Sequence, residues 1–348
     1  MFKGVTPTIL LMNKVREFNY FVGIDVSKKT LDISLIKGQH FVFHIQVDNS
    51  EKGFKAFLSK LNHQKIDVED CLFCAENTGI YNVPLQNVST RNDLFLWVEK
   101  AVQIKRSIGM VRGKNDKIDS LRIAQYAYKN RVDAVQWQPM RTPLSLIKKL
   151  ISSRRRLIST QMQLTQTLLE EEFLTKQEKQ ILSKGISQTL QAIKSDLTQI
   201  EKAMIKIVKE DTELNRLYEL ITSVNGIGMQ TALEIIVTTN EFKNIKEAKK
   251  FSCYAGVVPF EYSSGTSIHK KARVSKIANT SVKTLLHMAA LSVLHTPGDL
   301  RDYYERKVLE GKNKMSVINA IRHKLVLRIF ACVQNNRMYE KNYSYSIA

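Results

Sequence analysis

The run Phe21-Val22-Gly23-Ile24-Asp25-Val26-Ser27-Lys28-Lys29-Thr30-Leu31-Asp32-Ile33-Ser34-Leu35-Ile36 constrains this chain more than any other stretch. It reads as two short apolar, β-branched strands on either side of a tight Ser-Lys-Lys turn. Asp25 lies inside the first strand, where a lone ionised carboxylate is costly to bury unless a cation or hydrogen-bond donors meet it. The expectation is a metal site with Asp25 as its first ligand and its other members far along the chain.

With 348 residues there is room for two or three domains and a well-buried core. The balance is 53 Lys and Arg against 33 Asp and Glu, a formal charge of +20. Such an excess favours a polyanionic partner, because each basic side chain that meets a phosphate releases condensed counterions. No apolar run approaches the ~20 residues that span a bilayer. The patch Ile9-Leu10-Leu11-Met12 has no small-residue cleavage site after it, so a signal peptide is not expected. Cys71 and Cys74 form a C-x-x-C inside an apolar run, and neither Cys253 nor Cys332 completes a zinc spacing. All four read as structural thiols of a reduced, cytoplasmic protein.

Residues 1–19 form an arm, and residues 20–138 read as an α/β domain. After the opening hairpin, residues 41–47 alternate as a third strand. Ser50 caps a helix over 50–62 with Phe54, Phe57, Leu58 and Leu61 on one side. Residues 71–75 make a buried strand that ends at Glu76-Asn77-Thr78-Gly79, and 94–98 make another. A basic segment, 100–117, leads into a helix from Asp116 through Ala127. That order is the order of a ribonuclease-H-like, RuvC-like fold.

Pro139 and Pro143 mark the exit. Residues 139–215 hold two long helices, 144–172 and 177–210. Along the second, Ile186, Leu190, Ile193, Leu197, Ile200, Met204 and Ile207 step by four and three, the seam of a helical hairpin or a subunit-joining coiled coil. Arg154, Arg155 and Arg156 on the first are either a solvated face or phosphate contacts. Residues 216–336 open with Gly226 and Gly228 flanking one apolar residue between helical patterns. This describes a helix-hairpin-helix turn, whose backbone N–H groups suit a phosphate. Helices at 244–254, 275–295, 299–310 and 313–335 follow, with a Gly-, Ser- and Lys-rich connector at 256–274 and a polar tail at 337–348. The expected class is α/β plus α.

Four carboxylates stand out by position. Asp25 lies in the first strand, Glu76 ends a buried strand, and Asp116 and Asp119 are three apart at a helix start, on one face. Acids favour the first helical turn in any case, so it is the combination that points to chemistry. In a ribonuclease-H-like sheet the strands bearing Asp25 and Glu76 are neighbours, and a late helix lays its acids across their ends. Four converging carboxylates repel unless divalent cations neutralise them, and hard oxygen ligands suit Mg²⁺ or Mn²⁺. Two such ions polarise a phosphodiester and stabilise its attacking and leaving oxygens. Lys105, Arg106, Arg112 and Lys114 stand beside these acids as phosphate-backbone contacts.

The motifs Gly23-Ile24-Asp25-Val26-Ser27-Lys28, Glu76-Asn77-Thr78-Gly79 and Lys114-Asn115-Asp116-Lys117-Ile118-Asp119 resemble those of the DEDD transposases. These are the Piv-type DNA invertases and their insertion-sequence relatives, known as bridge-RNA-guided recombinases. The resemblance runs through Asn225-Gly226-Ile227-Gly228, Ala255-Gly256-Val257-Val258-Pro259, Ser264-Gly265 and Ser275-Lys276-Ile277-Ala278-Asn279, to about residue 335. In the last motif the family usually has Gly where this chain has Ala278. The resemblance implies a RuvC-like domain carrying Asp25, Glu76, Asp116 and Asp119, a coiled-coil middle, and a C-terminal domain with a serine nucleophile. The matching serine is Ser264, with Ser263 beside it as an open alternative.

A hydroxyl is a poor nucleophile until a metal or base assists it. A loop bordered by His269, Lys270, Lys271 and Arg273 would bring cations against a phosphate, and a phosphoserine link would store the bond energy so that strands reseal without ATP. No Walker A motif is present, since Gly109 and Gly113 have three residues between them and Asn115 follows Lys114. The resemblance further implies donor and target DNA duplexes, a guide RNA, and a homo-dimer or tetramer at the nucleoid of a prokaryotic cell. A RuvC-like nuclease that hydrolyses with water is the alternative. An actin-like ATPase or sugar kinase also begins with a Gly-Ile-Asp strand, but it needs a glycine-bearing phosphate turn that Val26-Ser27-Lys28-Lys29 lacks.

Overall fold

The computed structural model describes residues 17–108, 115–169, 173–264, 268–274 and 278–340, in two compact units that divide between Pro139 and Met140. The first unit runs β1 (Tyr20–Val26), β2 (Thr30–Lys37), β3 (His40–Asp48), α1 (Glu51–His63), β4 (Cys71–Glu76), α2 (Val83–Arg91), β5 (Leu96–Glu99), α3 (Ala101–Ile108) and α4 (Asp116–Lys129). Its strands form one mixed sheet in the order β3-β2-β1-β4-β5, antiparallel on the β2 side of β1 and parallel on the β4 side.

Period-two alternation sorts the strand residues to two faces. Val22, Ile24, Leu31, Ile33, Leu35 and Phe73 pack on Phe54, Phe57 and Leu61 of α1 and on Leu85 and Val88 of α2. Phe21, Ile36, Leu72, Cys74 and Trp97 pack the other face on Ile123, Ala124 and Ala127 of α4. Cys71 belongs to the first cluster and Cys74 to the second, so the C-x-x-C points to opposite faces and its thiols can neither pair nor share an ion. Burial pushes the Cys71 thiol up to about 12. α1 begins as expected, with Ser50 Oγ accepting from the Gly53 N–H at 3.0 Å. α3 was not foreseen within the basic segment, because Ile104 is its single deeply buried anchor.

The second unit is α5 (Thr142–Leu169), α6 (Lys176–Glu210), α7 (Thr212–Thr222), α8 (Met229–Thr239), α9 (Ala248–Tyr254), β6 (Phe260–Ser264), β7 (Ile268–Arg273), α10 (Thr280–Leu294), α11 (Asp299–Leu309) and α12 (Lys314–Gln334). Its core gathers Leu144, Ile147, Met204, Leu217, Ile236, Phe251, Leu286 and Leu325 from seven helices. The expected heptad seam is unevenly covered. Ile193 and Met204 are buried, whereas Ile186, Leu190, Leu197, Ile200 and Ile207 are half-buried. The connector expected at 256–274 instead contains the antiparallel pair β6–β7, since Phe260 and Tyr262 alternate with polar residues in a run too short to stand out among Gly, Ser and Lys. The helix expected from 244 starts at Ala248, and the one expected from 275 starts at Thr280 with Asn279 as its cap. Among the described residues no helix is long and apolar enough to cross a membrane.

Before α9 the chain turns through Asn240, Glu241 and Phe242, three successive residues at φ 49, 57 and 60. Left-handed backbone costs each about 1 kcal/mol, so contacts must hold it. The Glu241 side chain is fully buried, and it accepts from Arg141 and, at 2.7 Å, from Lys243 Nζ. Burial alone would raise its carboxyl, and those donors more than offset it. Arg141 also donates to both oxygens of Asp211, whose Oδ1 caps α7 at 3.0 Å. Arg141→Met is therefore expected to destabilise the protein by about 3 kcal/mol, the cost of leaving a buried carboxylate short of its partner. Urea unfolding measures this, and an unchanged midpoint would mean that Arg141 does not clamp the turn.

Candidate active site

In the β1–β2 register Asp25 stands opposite Asp32, and in the β4–β5 register Glu76 stands beside Glu99. The β1–β4 pairing, Gly23 beside Cys74 and Ile24 beside Ala75, continues to set Asp25 next to Glu76. Asp32, Asp25, Glu76 and Glu99 thus form one acidic row across four strands, on the face that α4 covers.

α4 reaches that face because residue 23 has no side chain. A Cβ there would lie 2.1 Å from the Ser120 carbonyl oxygen and 2.2 Å from the Ala124 nitrogen. Ser120, buried on α4, shares a 2.8 Å hydrogen bond with Ser34 of β2, the residue opposite Gly23. This seat fixes the first turn of α4, where Asn115 Oδ1 accepts from the Lys117 N–H at 3.0 Å and Asp116 and Asp119 project. Glu76 is held by the turn that follows it. The buried Asn82 donates to the Glu76 carbonyl at 2.9 Å and accepts from the Thr78 N–H at 2.8 Å.

The electrostatics show the convergence. Burial, and after it the negative charges of Asp119, Asp116, Glu76 and Asp32, raise the Asp25 carboxyl to about 6. Asp32 is 5% exposed and is met by His44 Nε2 and Gln46 Nε2, each at 3.0 Å. Asp119 accepts from Arg122 Nη1 at 2.9 Å. Among the described residues no three acids, imidazoles or thiols meet at metal-ligand distance. The donor set is nonetheless all carboxylate, buried and crowded enough to oppose the loss of a proton from Asp25. The chemistry of such a set fits a hard divalent cation, and the residues that could hold one are Asp25, Glu76, Asp116 and Asp119.

Asp32, Glu99, Gly23, Ser34 and Ser120 were missed from sequence. Their signal was the alternation itself, since Gly23, Asp25, Asp32 and Ser34 are the polar or small positions of two otherwise apolar strands.

The other expected residues fall in several places. Lys105 and Arg106 are exposed on α3, directly after the acidic row, and Arg112 and Lys114 lie outside the described residues. Arg154 pairs with Glu201 at 2.8 Å and Arg155 with the buried Glu234 at 2.5 Å, so these two arginines hold α5 to α6 and α8. Gly226, at φ 83, is needed for packing, because a Cβ there would meet Val293 Cγ2 at 2.3 Å. Gly228 caps α8 with open space about it. Ser264 ends β6 opposite Ile268, Ser263 lies opposite His269, and Tyr262 and Phe260 lie opposite Lys270 and Arg273, with Lys271 on the same strand.

A DEDD transposase model of the IS110 type matches residues 22–176, and a model of the transposase IS116/IS110/IS902 family matches residues 218–305. The chain belongs to the DEDD transposase family. It is accordingly an enzyme of DNA transposition and recombination, and the DEDD transposases in general use divalent metal. A pilin gene-inverting protein of Moraxella bovis is 25% identical over 331 residues, 92% of this chain and 98% of that protein. The insertion element IS110 uncharacterized 43.6 kDa protein of Streptomyces coelicolor is 27% identical over 128 residues, 37% of this chain and 31% of that one. In this DEDD transposase the first family match spans every member of the acidic row, and the second spans Ser264.

Proposed function

We propose that this chain cuts and rejoins DNA duplexes as the recombinase of an insertion element, with a divalent-metal site at Asp25, Glu76, Asp116 and Asp119 and with Ser264 as nucleophile. The observation that carries the proposal is the convergence of Asp119, Asp116, Glu76 and Asp32 on the half-buried Asp25, whose carboxyl is raised by burial and then by those charges, an arrangement that a cation would relieve. Mg²⁺ or Mn²⁺ bound there would supply Lewis-acid stabilisation of the phosphate's developing negative charge.

The chain's own residues do the rest. The Ser264 hydroxyl attacks phosphorus, a serine–phosphate ester forms, one P–O bond to deoxyribose breaks, and the departing oxygen takes a proton. Reversal with a different deoxyribose hydroxyl reseals the strand and frees the serine, so no ATP is consumed. Lys105 and Arg106 on α3, with Arg112 and Lys114 later in the same basic segment of the sequence, and Lys270, Lys271 and Arg273 on the strand paired with that of the serine, hold the backbone. Gly228 offers the α8 N-terminus to a further phosphate. The resemblance to bridge-RNA-guided recombinases supports a guide RNA as second partner, and the need to hold donor and target supports a homo-oligomer working at the nucleoid.

Ser264→Ala is expected to abolish any denaturation-resistant protein–DNA adduct while leaving DNA affinity within about twofold, and Ser263→Ala is expected to keep the adduct. Gel analysis of a labelled duplex reads both. An adduct that persists in Ser264→Ala sinks the nucleophile, and metal-dependent cutting that never yields an adduct favours hydrolysis by water.

A further inference from the structure

α10 and α12 pack along each other, and between them lies Arg322, 5% exposed. A guanidinium keeps its charge at any pH a protein survives, and taking one out of water is costly unless an anion meets it. Arg141, Arg154, Arg155 and Arg328 are all more exposed, and each meets a carboxylate. Among the described residues Arg322 meets none. Its Nη2 donates to His287 Nδ1 at 2.6 Å, its Nη1 makes only a 3.4 Å contact to Asn319 Oδ1, and its Nε is buried without a partner. Burial pulls the guanidinium below its ordinary value, with no acid opposing. A trapped water would satisfy the Nε hydrogen but not the charge.

The surroundings say which anion. His287 Nδ1 accepts from Arg322, so the ring is neutral and orients the guanidinium without competing for an anion. His287 and Asn319, the two residues that Arg322 touches, are only half-buried. Asn319 Nδ2 donates to the Val257 carbonyl at 2.7 Å, three residues before the strand that ends in Ser264. The cation therefore stands at the root of the serine hairpin.

We propose that Arg322, oriented by His287, is a binding site for one phosphodiester of the DNA backbone, positioning the strand beside the β6–β7 hairpin. A phosphate matches a guanidinium fork in both charge and geometry. The site rests on the DNA-recombinase reading above.

The test uses the full-length protein and Arg322→Met. Duplex binding is followed by fluorescence anisotropy across a salt series, and thermal midpoints are taken in chloride and in inorganic phosphate at equal ionic strength. The variant is expected to bind about tenfold more weakly, with the slope of log K against log salt reduced by about 0.9, one phosphate contact. Without phosphate its midpoint should equal or exceed that of the wild type, and the extra stabilisation that phosphate gives the wild type should vanish. A midpoint that falls while the slope stays the same makes Arg322 a structural residue and overturns the site. If Arg322→Met does not fold, Arg322→Lys decides: it keeps the charge but not the fork, so the slope should hold while affinity drops several-fold, and wild-type affinity would overturn the site. A wild type that binds no duplex overturns the recombinase reading itself, whereas equal slopes against a normally binding wild type overturn this site alone.

Discussion

Gly23→Ala is expected to cost the first unit about 3 kcal/mol or more and to eliminate activity with it. Small-to-large changes in a packed core typically cost about 1–3 kcal/mol when side chains can adjust. Here the new methyl would meet backbone, the Ser120 oxygen at 2.1 Å and the Ala124 nitrogen at 2.2 Å, so the whole of α4 must lift. Lifting it parts Ser120 from Ser34 and carries Asp116 and Asp119 away from Asp25. Thermal unfolding and Mn²⁺-dependent cutting should fail together. Gly185→Ala is the control, because that glycine sits within α6 with nothing inside 4 Å. It should stabilise the protein by roughly 1 kcal/mol through helix propensity. A Gly23→Ala variant as stable and active as the wild type would mean that α4 does not seat on β1.

Asp25→Asn should give the opposite combination, a dead enzyme that is more stable than the wild type when metal-free. The Asp25 carboxyl is raised from 3.8 to about 6 in the folded protein. A raised acid means that the folded state holds its proton more tightly than the unfolded one, so stability falls as pH rises from about 4 to about 6 and stays lowered above that. Each pH unit between the unfolded and folded values corresponds to about 1.4 kcal/mol. The ceiling is therefore roughly 3 kcal/mol, less after solvent screening of a carboxyl that is partly exposed. The variant lacks the charge. At pH 8 without divalent ions it should unfold at higher temperature than the wild type, and near pH 3.5 the two should coincide. Loss of a metal ligand should reduce DNA cutting by at least about a thousandfold. If Asp25 were instead an ordinary buried carboxylate satisfied by donors, the variant would be less stable at pH 8, and the gap would close as pH falls.

Much of this arrangement was legible in the chain before its structure. The strand carrying Asp25, the turn after Glu76 and the spacing of Asp116 and Asp119 are local patterns, and each element formed within a few residues of its expected bounds. What escaped was whatever depends on one element lying on another. Asp32 is not singled out by the sequence, because only strand pairing sets it opposite Asp25. Ser120 is passed over, because nothing in its local sequence shows that it meets Ser34 in the core. In the sequence Arg155 stays between a solvated face and a phosphate contact, because the partner it meets, Glu234, lies on a helix far along the chain. The β6–β7 pair was hidden by composition, since two strands that pair only with each other need little hydrophobic signal.

The central claim is that the acidic row is an ion site and not a set of unrelated carboxylates. Its most direct test is a thermal melt of wild type and Asp25→Asn at pH 8, each titrated with Mn²⁺ in the absence of nucleic acid. The wild type should gain stability with metal, about 2.7 kcal/mol at a hundredfold excess over its dissociation constant. The variant should begin above the metal-free wild type and gain almost nothing. A wild type that Mn²⁺ leaves unmoved, or a variant that gains as much as the wild type, would contradict the claim.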